Sequence, residues 1–285
     1  MGKNKILVVT GMHRSGTSVI TQWLHKCGLH VGNELEGAEI GNEQGHFEDT
    51  DFLHAHQSIL KGRRLTDNGY TDPVKPLTHE ETDILKDIVS HKNNFNHQWG
   101  WKDPRTCLFL DAYRQLIPDA FYFVVLRDYA SVVSSLILRI YKRTEKKYAS
   151  HKGLSKFIWE HIKKKRRMHK LLKKYSLRYL KVWIAYNEAI LQHLRQIPPE
   201  NYIVADYSVL HDNDSAVFEH LTNKWGFSLG FFNFRKIYKD DLLHEAIDIN
   251  LYIKDKSLLS KAAGIEASLR QLNIFNNKQP VLLAV

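Results

Sequence analysis

Gly11-Met12-His13-Arg14-Ser15-Gly16-Thr17-Ser18 packs two glycines, three hydroxyls and one guanidinium into eight residues. These residue types suit an anion. Glycines permit a tight turn whose backbone N–H groups point inward, and a helix starting at its end adds partial positive charge. Ser15, Thr17 and Ser18 supply hydroxyl donors, and Arg14 supplies a planar cation. Gly11 and Gly16 keep the spacing of the Gly-x4-Gly-Lys-Ser/Thr nucleotide loop, but Thr17 stands where that loop has its lysine. A plain strand–turn–helix connection and a variant nucleoside-triphosphate loop are the alternatives.

A second cluster comes after the apolar run Phe121–Leu126. Arg127 ends the run, and Ser134 and Ser135 come next on a helical stretch. An arginine at the C-terminal end of a strand, beside a helix carrying serines, can hold a phosphate. An ATPase strand would end instead in a metal-holding aspartate, and Asp128, next to Arg127, keeps that reading open. Arg127 taken alone could equally form a surface salt bridge.

The elements that must position these groups are legible in part. Lys5–Thr10 is a continuous β-branched, apolar run, as expected of a strand buried on both faces. Val19, Ile20, Trp23, Leu24 and Cys27 recur at helical spacing, with Gly28 as a stop. Gln98–Trp101 and Tyr202–Ala205 read as further strands, the first ending at Lys102-Asp103-Pro104-Arg105. Helices are expected at Asp51–Leu60, Glu80–Val89, Leu108–Leu116, Ala130–Tyr141, Val182–Arg195 and Asn213–Trp225. Residues 29–50 read as loop and the tail as mixed. Strands alternating with helices predict an α/β fold, a parallel β-sheet flanked by helices. No repeat or linker divides residues 1–285, so one domain is expected, with a basic helical insertion at 142–181, broken near Gly153.

Charge is unevenly placed. The net charge is +10, yet residues 142–181 hold 16 Lys/Arg and two acids, Glu145 and Glu160, while the rest has 25 bases and 29 acids. That pattern argues against a protein coated in nucleic acid and for one local positive surface. A solvated helix face, attraction of an anionic ligand, and contact with nucleic acid or a membrane surface are the readings of that segment. No apolar run reaches the roughly 20 residues of a membrane span. The N-terminal run Ile6–Val9 is too short for a signal peptide, and Ile6 does not suit a myristoylation site. Two cysteines, Cys27 and Cys107, build no disulfide framework, so a cytoplasmic location is expected. His54 and His56 lack metal-ligand spacing, so no metal is expected.

Together, residues 5–24 and 100–136 resemble the sulfotransferases that use 3′-phosphoadenosine-5′-phosphosulfate (PAPS). In that family an Arg/Lys-Ser-Gly-Thr-Thr/Ser loop grips the 5′-phosphosulfate, and an arginine with a serine eight residues on grips the 3′-phosphate. Arg14, Ser15, Gly16, Thr17 and Ser18 match the first, and Arg127 and Ser135 the second. Tyr207, in Ala205-Asp206-Tyr207-Ser208-Val209-Leu210, is similar to a tyrosine near the adenine, although the acids of that family segment are missing. The loop and Asn42-Glu43-Gln44-Gly45-His46-Phe47-Glu48 look like bacterial members. The family's C-terminal Arg-Lys-Gly is not evident beyond Arg235-Lys236.

The resemblance implies a P-loop-like sulfotransferase fold and in-line sulfuryl transfer from PAPS to a hydroxyl or amine of a small molecule, with a secondary metabolite favoured. Arg14 would stabilise the bridging oxygen and leaving phosphate. Lys102 resembles a lysine facing the transferred group, with an ion pair to Asp103 or another acid as its structural alternative. Candidates for the base are Glu48, Glu34 (20 residues after Arg14) and His46. Helix capping is the plainer role for Glu48 and Asp49. An ATP- and magnesium-dependent phosphotransferase and a non-catalytic nucleotide or nucleic-acid binder are the rival functions.

Overall fold

The computed structural model describes residues 4–37, 45–149, 163–238 and 246–275. Four strands form one parallel sheet: β1 (Lys5–Thr10), β2 (Gln98–Lys102), β3 (Phe121–Val125) and β4 (Tyr202–Ala205), in the order β2-β1-β3-β4. The β-branched run of β1 lies at the centre because both its faces are covered. Ile6 and Val8 point into one core with Trp99, Trp101, Tyr122 and Val124, while Leu7 and Val9 point into the other with Trp23, Phe123 and Ile203.

The helices are α1 (Thr17–Lys26), α2 (Thr50–Gly62), α3 (His79–Phe95), α4 (Leu110–Leu116), α5 (Tyr129–Ala149), α6 (Lys164–Leu194), α7 (Tyr207–Glu219) and α8 (Lys256–Gln271). A 3-10 turn, Pro104–Leu108, joins β2 to α4. Helices α2, α3, α5, α6 and α8 contribute to the core on one face of the sheet; α1 and α7 lie on the other.

Register brings the chemistry to one edge. Val9 pairs with Lys102, Thr10 with Val124, and Val125 with Ala205, so all four strands end level. The segments after β1, β2 and β3 therefore emerge side by side. The connections after the neighbouring strands β1 and β3 leave to opposite faces, which creates the crevice where α/β sheets bind ligands.

Two elements differ from the sequence reading. Helical structure in α7 begins at Tyr207, because the Asp206 carboxylate accepts from Ser208 N and Val209 N, and it kinks at Asn213, where the sequence reading starts the helix. As the sequence reading has it, the basic stretch continues into the helix at 182–195: both belong to α6, a 31-residue helix from Lys164. The tail contains α8, capped by Asp255 and buried through Ala262, Ile265 and Leu269, a helical spacing present in the sequence itself. The break expected near Gly153 lies outside the described residues. Among those residues, no helix is long and apolar enough to cross a membrane.

Candidate active site

The loop after β1 is built on two glycines. A Cβ on Gly11 would lie 2.5 Å from the Val125 carbonyl oxygen, so only glycine lets the chain pass this close to β3. Gly16 caps α1 in the left-handed region, at φ 98°. Arg14 is left-handed too, at φ 70°, which turns its side chain out of the loop. The loop closes with Ser15 N donating to Met12 O at 3.1 Å. Its residues thus stand at the N-terminus of a ten-residue helix whose first turn carries no acid.

Arg14 joins the two halves expected from the sequence. Its Nε donates to Ser135 Oγ on α5 at 3.0 Å, and its carbonyl oxygen accepts from Arg127 Nη1 at 3.0 Å. Arg139, one turn beyond Ser135 on α5, hydrogen-bonds Tyr70. Burial, then the nearby Arg139 and Arg127, push the Arg14 pKa down. Three guanidiniums that repel one another gather positive charge at this edge of the sheet, which suits an anion. Asp128, which could have suggested a metal, instead caps α5: its Oδ1 accepts from Ser131 N at 2.7 Å. Ser134 faces the core and exchanges hydrogen bonds with the backbone of Ile247.

On the other side of the loop, Lys102 reaches Ser18 Oγ at 3.4 Å and Glu48 Oε1 at 2.9 Å. Its partner is thus Glu48 rather than Asp103. Glu48 also receives Arg105 Nη1 at 3.3 Å, and His46 Nδ1 lies 3.8 Å from it. The capping role belongs to Asp49, which accepts from Asp51 N and pairs with the buried Lys92 at 2.7 Å. Glu48 is delivered by a short antiparallel pairing in which Glu36 N donates to Glu48 O and Thr50 N to Glu34 O. Glu34 therefore belongs to the same arm, but its side chain is exposed, and among the described residues no bond of its carboxylate joins it to Lys102 or Ser18.

Behind Glu48 lies a buried relay. Arg105 donates to Asp103 Oδ1 at 2.7 Å, His56 Nδ1 meets Asp103 Oδ2 at 2.7 Å, and His56 Nε2 meets Tyr113 OH at 2.6 Å. Burial opposes the Asp103 charge, yet Arg105 and His56 outweigh it and hold the carboxyl well below the usual range. Burial likewise opposes the Arg105 charge, and Asp103 and Glu48 outweigh it and push that pKa up. Arg105 Nε also donates to Asp67 O, and Tyr186 OH on α6 donates to Gly69 O, so the 66–70 loop is pinned against the site.

His13 stands among these cations. Burial, then Arg105, with Lys102 and Arg139 adding, push its pKa well down, so the imidazole is neutral at physiological pH. Its Nε2 is enclosed without a hydrogen-bond partner, and its ring meets Tyr70 edge-on at 5.0 Å.

Of the residues expected from the sequence, the fold brings together Arg14, Arg127 and Ser135 on one side, and Ser18, Lys102, Glu48 and His46 on the other. Tyr207 opens α7, but its side chain, like residues Asn42, Glu43 and Gln44, lies outside the described residues. Arg235 is turned to His211 O at 3.0 Å. Arg105, Arg139, His13 and Tyr70 were missed. Arg139 could have been found four residues after Ser135, on the same helix face. Arg105 comes directly after Lys102-Asp103-Pro104. Tyr70 carries no signal in its own neighbourhood. Among the described residues, no group of three or more His, Cys, Asp or Glu is placed to hold a metal.

A Gly-rich loop at the switch point of a parallel sheet, with an arginine–serine pair from the neighbouring strand–helix unit bonded to it, defines an α/β protein of P-loop-like fold. The chain belongs to the sulfotransferase family, whose family model matches residues 7–229. No curated protein matches it. Among solved structures it is similar to sulfotransferase STF9 from Mycobacterium avium, with 13% identity, a TM-score of 0.60, and coverage of 94% of this chain and 77% of that one. It is also similar to a sulfotransferase from Alicyclobacillus acidocaldarius, with 12% identity, a TM-score of 0.50, and coverage of 95% and 97%. The sulfotransferase domain from the curacin biosynthetic pathway aligns at 15% identity and a TM-score of 0.46 over 94% and 99%. At these identities the first two likenesses speak for the P-loop-like sulfotransferase fold alone.

Proposed function

We propose that the protein transfers a sulfuryl group from PAPS to a hydroxyl or amine of a small-molecule acceptor, without a metal ion. The observation that carries this reading is the bonding of Arg14 to both Ser135 and Arg127, which fuses the loop and the second phosphate site into one cationic cradle. The cradle fits a donor with phosphates at two positions. Gly11 lets backbone N–H groups approach an anion, α1 points its N-terminus at it, and the clustered guanidiniums supply positive charge. Bound PAPS supplies the sulfuryl group: the acceptor oxygen or nitrogen bonds to sulfur as the bond from sulfur to the 5′-phosphate oxygen breaks, and adenosine 3′,5′-bisphosphate leaves.

Arg127 and Ser135 hold the 3′-phosphate, and Ser15, Gly16, Thr17 and Ser18 hold the 5′ side. Arg14 and Lys102 offset the charge that grows on the leaving phosphate, the task a metal performs in ATP-dependent transfer. Glu48 takes the acceptor's proton. Lys102 and Arg105 fix both its oxygens, and His46 stands beside it to pass the proton to solvent. Tyr207 flanks the adenine. Two buried, unpaired cysteines, Cys27 and Cys107, suit a reducing cytoplasm; burial pushes their thiols up to about 11 and about 12.

Thermal stability with ligands tests the donor. At 100 times its dissociation constant, a ligand stabilises the folded protein by about 2.7 kcal/mol. Adenosine 3′,5′-bisphosphate with EDTA is expected to raise the melting temperature, and ATP with magnesium to do so much less. The reverse order would replace this reading with a phosphotransferase.

A further inference from the structure

A groove of about 550 Å³ opens between the loop after α2 and one face of α6. Five cations line it: Arg64 from the loop, and Lys173, Lys174, Arg178 and Lys181 from α6. Lys174, Arg178 and Lys181 recur at spacings of four and three, so they stand on one helix face over two turns, with Lys173 beside them. The opposite face of that stretch, with Leu172, Ser176, Tyr179 and Leu180, is buried. Asp72 is the one acid in the lining, and none of the five cations forms an ion pair among the described residues. Leu65, Leu177 and Tyr70 give the groove an apolar wall.

Tyr70 links this groove to the chemistry. One side of it lines the groove, while its ring meets His13 of the phosphate loop at 5.0 Å and its hydroxyl is bonded by Arg139, beside Arg14. Tyr70 thus belongs both to the groove's lining and to the surroundings of the loop. Its volume is that of a small-molecule site, roughly 300–1,000 Å³. Cations left unpaired around an apolar wall select a ligand with an apolar body and an anionic group.

We propose that this groove is the acceptor's subsite and that the acceptor is itself an anion, a molecule with an apolar or aromatic body bearing a phosphate, sulfate or carboxylate. The assignment of the ligand as acceptor rests on the sulfotransferase reading; the anion selectivity of the groove does not. The charge of the basic segment is then used on the acceptor side, where an anion must be held beside an anionic donor. Without these cations the two would repel each other.

Binding to the full chain tests the inference. Adenosine 3′,5′-bisphosphate is titrated first by calorimetry, which judges the donor reading on its own. Phenyl phosphate and phenol are then titrated, by ligand-observed NMR, into the protein with and without the bisphosphate. Phenyl phosphate is expected to bind in both cases and phenol at least about tenfold more weakly. The double variant Lys173→Glu/Arg178→Glu, both positions exposed, is expected to melt normally, keep its bisphosphate affinity within about twofold, and lose phenyl phosphate by at least about tenfold. Equal binding of phenol, or unchanged phenyl phosphate binding in the variant, overturns the proposal. So does a matching loss of bisphosphate affinity, which would make these charges part of donor attraction. Phenyl phosphate binding that disappears only in Arg14→Ala or Arg127→Ala would place it in the donor cradle and equally overturn the groove.

Discussion

Arg14 is fixed at both ends, its guanidinium by Ser135 and its carbonyl by Arg127. The two arginines therefore predict different losses. Arg14→Ala is expected to lower turnover with labelled PAPS by at least about 10²-fold, the scale for removing one donor that meets developing charge. Arg127→Ala is expected to raise the dissociation constant of adenosine 3′,5′-bisphosphate by about tenfold or more, measured by calorimetry, with a smaller effect on turnover at saturating donor. Near-normal turnover of the Arg14 variant would remove that residue from the chemistry. Behind Glu48, Asp103 holds Arg105 and His56 away from solvent. Asp103→Asn removes the nearer of the two carboxylates that pair with the buried Arg105 guanidinium and the carboxylate that meets His56, and should cost about 3 kcal/mol or more in urea denaturation. Turnover should fall with it, because Arg105 is one of the two groups that aim Glu48.

The elements act through their ends. Strands β1, β2 and β3 stop in register, and their stops lead into the phosphate loop, the Lys102–Arg105 corner and Arg127. The tightest point of this arrangement is Gly11 against Val125. Gly11→Ala would put a methyl 2.5 Å from a carbonyl oxygen, so the loop must move away from β3. The expected result is a melting temperature lowered by the equivalent of about 1–3 kcal/mol and bisphosphate affinity lost by at least about tenfold. Wild-type affinity would mean the loop tolerates displacement. Helix α6 packs against one face of the sheet through His193 and Tyr122. Its Trp183 Nε1 donates to the Arg127 carbonyl at 3.2 Å and its Tyr186 hydroxyl to Gly69, so one helix braces both Arg127 and the loop carrying Tyr70.

At the scale of the molecule, acid sensitivity has a defined source. His193 on α6 is buried against Tyr122, with neither ring nitrogen hydrogen-bonded. Burial, reinforced by Arg114, pushes its pKa down to about 4 from the ordinary 6.5. The unfolded chain thus takes up a proton that the folded protein refuses, so stability is lost as pH falls from about 6.5 to 4, by about 2 kcal/mol at pH 5. His193→Phe should flatten urea stability between pH 7 and pH 5 by about that amount. An unchanged slope would assign the acid sensitivity elsewhere, His13 being the next buried imidazole with a depressed pKa. The molecule's charge has an equally local origin, since the exposed part of α6 carries much of the basic excess.

The Gly-rich loop, the strand before it and the helix after it, and the Arg127–Ser135 spacing were legible from residue order, because each is a local pattern. Backbone sterics make glycine the residue for a tight turn, and burial on both faces makes a central strand uniformly apolar. The start of α7 and the existence of α8 were legible too, through Asp206 and Asp255, but capping signals are short and easily passed over. What residue order did not contain is who faces whom. Glu48 meets Lys102 across 54 positions, and Arg14 meets Ser135 across 121. Tyr70 faces His13 only because Arg105 and Tyr186, from two other elements, pin its loop. Such pairings depend on strand register and helix packing, which are sums over the whole core. A carboxylate's partners, and so its role, come from that sum and not from its neighbours in the chain.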